Sequence, residues 1–169
     1  MVIVVMGVAG SGKTTVGQRL ALALDWSFVD ADDLHPAENV KQIRAGVPLT
    51  DTGRGPWLDA LAQLIGDHAS RNENLVLACS ALRRDYRRTL LSRTSEPGDV
   101  RFVHLHVDPE TLSERLERRT GHFFPPSLLH SQLGTWEEPG ADEAGHVISV
   151  DATQSPDDVV ADIRRRLLP

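Results

Sequence analysis

The run Gly7-Val8-Ala9-Gly10-Ser11-Gly12-Lys13-Thr14, continued by Thr15, has the spacing of a loop that cradles phosphate groups. Its glycines let the backbone curl so that successive N–H groups point at phosphate oxygens, and a helix leaving the loop adds the positive end of its dipole. Lys13 then reaches the β- and γ-phosphates as a cation, and the Thr14 hydroxyl ligates Mg²⁺. An apolar run at 2–6 feeds the loop and a helical pattern at 13–24 leaves it, which is the context this chemistry requires. ATP and Mg²⁺ are the cofactors expected here. Such a P-loop is shared by kinases, GTPases and motor ATPases, so the rest of the chain must decide among them.

No guanine-recognition motif of the NKxD type follows, and the apolar run at 75–79 ends at Ser80 rather than at a carboxylate. Carboxylates appear instead in Asp30-Ala31-Asp32-Asp33, after the run at 27–30. At the C-terminal edge of a sheet they would lie beside the P-loop, where open α/β sheets bind ligands. Asp32 is placed to orient an acceptor hydroxyl and take its proton. Asp30 serves Mg²⁺, and Asp33 reads equally well as a cap for the helix near Pro36. Basic groups recur in Ser80-Ala81-Leu82-Arg83-Arg84-Asp85-Tyr86-Arg87-Arg88. With Ser80 as N-cap, Arg83 and Arg87 share a helix face and could fork onto an anionic acceptor, although a solvated charge stripe gives the same pattern. Arg118 and Arg119 either complement the negative end of a helix closed by Gly121, or swing over the transferring phosphate; both roles are compatible.

Positioning these groups takes alternating strands and helices. Apolar or β-branched runs at 2–6, 27–30, 75–79, 102–107 and 147–150 predict strands; helical spacing predicts helices at 13–24, 36–44, 56–70, 82–92, 109–119 and 156–167. Alternation of this kind implies right-handed crossovers and a mainly parallel sheet covered on both faces, hence an α/β fold. Asp108 and Ser155 are good N-caps. The stretches 46–55 and 120–145, rich in Gly and Pro, carry no assigned element, and the second has the length of a functional lid.

Composition bounds the reading. A chain of 169 residues with 40% hydrophobic and 25% charged residues suits one globular domain spanning 1–169. The net charge of -6 argues against a nucleic-acid or membrane-surface partner. No run approaches the ~20 apolar residues that cross a bilayer, and the lone Cys79 reads as a buried, reduced thiol, fitting the cytoplasm.

With these residues in view, the chain resembles the gluconate kinases. The resemblance runs in order through MGVAGSGKT, DADDLHPAEN at 30–39, GVPLTDTGRGPWL at 46–58, CSALRRDYR at 79–87, GHFF at 121–124 and EEPGADE at 137–143. It implies a three-layer P-loop fold of the nucleoside-monophosphate-kinase and shikimate-kinase type, with a mobile lid at about 118–137. It further implies phosphorylation of D-gluconate on its 6-hydroxyl, and frequently a homodimer. By the same resemblance His35, Arg54, Arg83, Arg87 and His122 are candidates for contacts with the sugar acid or the transferred phosphate, while Trp57 reads as packing. Acidic residues are common in that family where this chain has Thr52 and Gly53, and leucine where it has Trp136. The loop at 151–156 reads equally as a turn with an N-cap or as a wall against adenine. A kinase of another small hydroxy acid, such as shikimate, and a nucleotide switch without turnover are the competing readings.

Overall fold

The computed structural model describes residues 1–94, 97–118 and 128–167. Strands β1 (Val2–Met6), β2 (Ser27–Asp30), β3 (Leu75–Ala78), β4 (Val100–His106) and β5 (Val147–Asp151) form a five-stranded sheet in the order β2-β3-β1-β4-β5. Every pairing in it is parallel. Parallel neighbours need crossovers, and helices α1 (Lys13–Leu24), α2 (Ala37–Arg44), α3 (Asp51–Ser70), α4 (Arg84–Leu91), α5 (Pro109–Glu117), α6 (Leu129–Thr135) and α7 (Pro156–Leu167) lie along them.

The side-chain alternation of β1 shows how the layers divide. Ile3 and Val5 point into a core with Val16 and Leu20 of α1, Leu112 and Leu116 of α5, and Val160 and Ile163 of α7. Val2, Val4 and Met6 point to the other face, against Trp57, Leu61 and Ile65 of α3 and Leu90 of α4. All five β1 residues are buried because both faces are covered. Cys79 belongs to the second core, and burial pushes its thiol up to about 12, which leaves it unreactive at neutral pH.

Several boundaries differ from the sequence expectation. Helix α3 starts at Asp51 rather than 56, because the Thr50 hydroxyl accepts from the Gly53 N–H at 3.1 Å and caps it; Pro56 sits inside the helix. Helix α4 starts at Arg84, so Ser80 is not its cap. Its first free N–H, that of Arg84, donates instead to the Glu137 carboxylate at 2.8 Å, a partner distant in sequence. Helix α5 ends at Glu117, two residues early, with Arg118 as its C-cap. Helix α6 lies in the stretch that carried no assignment. Asp108 and Ser155 do cap α5 and α7, accepting from Thr111 N–H and Asp158 N–H. Asp30 rather than Asp33 does the capping after β2: its side chain accepts from Asp32 N–H at the head of a 3₁₀ turn over Ala31–Leu34.

Candidate active site

Strand β1 delivers the chain to the P-loop at the C-terminal edge of the sheet, and the loop's conformation is one that only glycine enters without strain. Gly10 has φ of 84°, and a Cβ there would lie 3.1 Å from the Leu116 side chain and 3.2 Å from the Leu112 carbonyl. Gly12, at φ 97°, is the N-cap of α1 and turns the backbone into the helix. The Lys13 ammonium folds back over the loop and donates to the Val8 carbonyl at 3.1 Å. Thr14 donates to Asp30 Oδ2 at 2.7 Å, so the loop and the end of β2 share a hydroxyl–carboxylate pair. These are hard oxygen donors of the kind Mg²⁺ accepts. Among the described residues there is no cluster of His, Cys, Asp or Glu that would cage a metal by itself.

One cavity of about 400 Å³ runs along this edge, lined by the P-loop from Ala9 to Thr15. Gly7 and Val8 stand behind the lining; Gly7 donates through its backbone to the Ser80 carbonyl at 3.3 Å and ties the loop to the end of β3. At one end of the cavity lie Arg115, Ala152, Gln154 and Pro156. There Arg115 donates to the Ala152 carbonyl at 2.8 Å, and Asp151 holds Thr153 in a turn. The loop at 151–156 is therefore both a turn and a cavity wall. At the opposite end lie Asp32, His35, Arg54, Trp57 and Tyr86.

That second end is assembled from distant elements. Trp57 is fixed by its indole N–H donating to the Ala31 carbonyl at 2.7 Å, and its ring stacks on His35 with centroids 4.2 Å apart. Trp57 thus packs, as expected, and also walls the cavity. Burial, with the Arg54 charge adding to it, lowers the His35 pKa to about 4, so the imidazole is neutral at neutral pH. Its Nδ1 is buried without a hydrogen-bond partner among the described residues. Arg54 donates to the Leu49 carbonyl at 2.7 Å and to the Tyr86 hydroxyl at 3.2 Å. The Tyr86 hydroxyl donates to Asp51 at 2.5 Å. This hydrogen bond, with that from Arg83, keeps Asp51 below the usual carboxylate range. Gly53 offers its carbonyl to buried Asn39 at 3.0 Å, which ties the start of α3 to α2.

Arg83 and Arg87 do not line the cavity, contrary to expectation. Arg83 is the extended residue before α4 and pairs with Asp51 at 2.7 Å and Glu137 at 3.3 Å. Arg87 is only 1% exposed and is held on both sides of its fork by Glu143, at 2.6 and 3.0 Å, and by the Ala81 carbonyl at 3.1 Å. Periodicity puts these residues on one helix face, but which face looks into the cavity is set by acids from the segment at 137–143. Arg118 is exposed and pairs with Glu114 one turn back, which matches its helix-end reading. Arg119 and His122, with the stretch 119–127 of the expected lid, lie outside the described residues. Sequence reasoning missed Tyr86, Arg115 and Gln132. Tyr86 lay inside a quoted motif but reads as core, whereas Gln132 lay in an unassigned stretch and reaches the P-loop, accepting from Ala9 N–H at 2.6 Å.

The chain is similar to known proteins over most of its length. The family model described as shikimate kinase matches residues 9–168. A probable gluconokinase of Xenopus tropicalis is 47% identical, with 89% of this chain and 86% of the relative covered. The gluconokinase of Gluconobacter oxydans is 44% identical over 96% of this chain and 89% of the relative. The crystal structure of a gluconokinase from Sinorhizobium meliloti 1021 superposes with a TM-score of 0.82 at 42% identity, covering 98% of this chain and 90% of that one. Two of these matches cover 96% and 98% of this chain at 44% and 42% identity, and the chain belongs to the gluconokinase family of P-loop kinases.

Proposed function

We propose that this protein transfers the γ-phosphoryl group of ATP to the 6-hydroxyl of D-gluconate, giving 6-phospho-D-gluconate and ADP. The observation that carries this reading is a single cavity holding a phosphate-binding loop and, at its far end, Asp32, His35 and Arg54. Loop amides and Lys13 hold the donor phosphates and offset charge on the transferring group. Arg54, held by Leu49 and Tyr86, presents a planar fork suited to a sugar-acid carboxylate. Asp32 orients the acceptor hydroxyl and takes its proton as the new O–P bond forms and the bond to the β-phosphate oxygen breaks. Neutral His35 gives a polar contact to the polyol without repelling Arg54. Mg²⁺, when bound near Thr14 and Asp30, offsets charge on the β- and γ-oxygens. Arg118 and Arg119 are the proposed source of further positive charge over the transferring phosphate.

The match to the shikimate kinase model favours a second reading, another small hydroxy acid as acceptor. A coupled assay for ADP release against gluconate, other sugar acids, sugars and shikimate separates them: gluconate should give the highest kcat/KM, and no stimulation by gluconate overturns the proposal. We also expect a cytoplasmic homodimer, with gluconate rather than a nucleic acid or a membrane as the partner; sedimentation of the full chain tests the dimer. No helix among the described residues is long and apolar enough to cross a membrane.

A further inference from the structure

The geometry points to Gln132 as a nucleotide-contacting residue that reads the terminal phosphate, an inference that rests on the ATP reading above. The peptide unit joining Val8 to Ala9 is engaged at both ends. Its carbonyl accepts from the Lys13 ammonium at 3.1 Å, and its N–H donates to the Gln132 side chain at 2.6 Å. A backbone N–H can only donate, so the atom it meets on Gln132 is the carbonyl Oε1. That fixes the orientation of the carboxamide and leaves Nε2, with its pair of N–H groups, as the polar atom still to be satisfied. Among the described residues Nε2 donates to no protein group. Gln132 is half-buried and lines the cavity beside Gly10 and Lys13.

Lys13 marks the end of the loop where β- and γ-phosphates lie. A neutral amide donor braced by the P-loop itself and facing the same cavity meets an anion there without the desolvation cost of another full charge. The choice of a carboxamide follows from both of its bonds. A carboxylate would keep the acceptor for Ala9 N–H but repel phosphate, and an alkyl group would keep the volume but lose both.

The test is calorimetric titration of the full chain with Mg·ADP and with a Mg-bound, non-hydrolysable ATP analogue. In Gln132→Leu, binding of the analogue should weaken about tenfold, the effect of losing one hydrogen bond to a charged group. ADP should stay within about twofold, because it lacks the phosphate that Nε2 meets. Gln132→Glu should weaken the analogue further while melting within a few degrees of the parent protein, since its acceptor oxygen still braces Ala9. Equal losses for ADP and the analogue would reduce Gln132 to a brace of the loop and overturn the inference, as would no loss for either. A parent protein that binds neither nucleotide would instead overturn the ATP reading on which the inference stands.

Discussion

The two ends of the cavity are built by different means. The donor end is largely backbone: a short contiguous stretch in which glycines at φ of 84° and 97° shape the loop and Lys13 and Thr14 follow directly. The acceptor end is side chain: Asp32 from a 3₁₀ turn, Arg54 and Trp57 from α3, and Tyr86 from α4 meet only because the sheet brings two crossovers to one edge. A site made from backbone tolerates change around it and is written in one motif. A site made from converging side chains depends on every element that carries them.

This difference governs how much could be read in advance. The P-loop, Asp30 and Asp32 were legible because spacing along the chain is their geometry. The strand sequence was legible too, since strands covered on both faces read as unbroken apolar runs. The roles of Arg83 and Arg87 were not, because a helical repeat gives a face but not what that face meets. Glu143 and Glu137 claim them, and that pairing spans more than fifty residues. Helix α6 was hidden among Gly and Pro, and Gln132 with it. The start of α3 was missed because Gly and Pro at 53–56 read as loop, although Thr50 carries a good capping side chain.

The donor end should be the more sensitive to a single charge. Lys13→Met should lower kcat/KM about 10⁴-fold, in the range that a transition-state cation contributes to phosphoryl transfer. Steady-state kinetics on protein with an unchanged melting temperature checks it, and a loss under tenfold contradicts the role. Asp32→Asn should lower kcat about 10³-fold while leaving Mg·ATP affinity within about threefold, because the acceptor end is distinct from the phosphate cradle. Equal loss of ATP binding would move Asp32 to the donor end and collapse the comparison.

Next to Tyr86 at the acceptor end, α4 carries buried Arg87 in its ion pair with Glu143. Arg87→Met takes the fork from Glu143 and leaves it only Arg84 at 3.4 Å and the Gly140 N–H at 3.1 Å, which should cost about 2 kcal/mol in urea unfolding. Arg87→Met combined with Glu143→Gln should recover part of that loss. If the single variant loses under ~1 kcal/mol, the pair is not the prop of this wall. Acidification probes the same side. Arg87 holds Glu143 down at about 2, so its contribution is complete above its usual value of 4.5 and is lost as pH falls toward 2. Burial lowers His104 from 6.5 to about 4, with Glu138 opposing the shift and His106 and Arg87 adding to it. Its neutral form is favoured by folding, so the stability it contributes is present above 6.5 and is lost as pH falls through about 4. His104→Phe retains an aromatic ring to stack on Trp136, now 4.2 Å from His104. The variant's melting temperature should therefore fall less than the parent's between pH 7 and pH 4.5, and parallel curves would contradict this.

The smallest effect should come from a single hydroxyl, and it bears most directly on how a side-chain site is held. Tyr86 stands between Arg54 and Arg83, whose guanidinium carbons lie 5.6 and 5.5 Å from its ring centroid. Its hydroxyl accepts from Arg54 and donates to Asp51. Tyr86→Phe keeps the ring and both cation–π contacts but frees one N–H of Arg54 Nη1. Leu49 still accepts from Arg54 at 2.7 Å, so the guanidinium is loosened rather than released. A neutral hydrogen bond of about 1 kcal/mol corresponds to a rise of roughly fivefold in KM for the acceptor. KM for ATP should not change, because the partners of Tyr86 named above, Arg54 and Asp51, both lie outside the P-loop. A rise in both constants would mean that the ends are coupled through α3 and α4, and that the backbone-built cradle depends on the side-chain-built pocket after all.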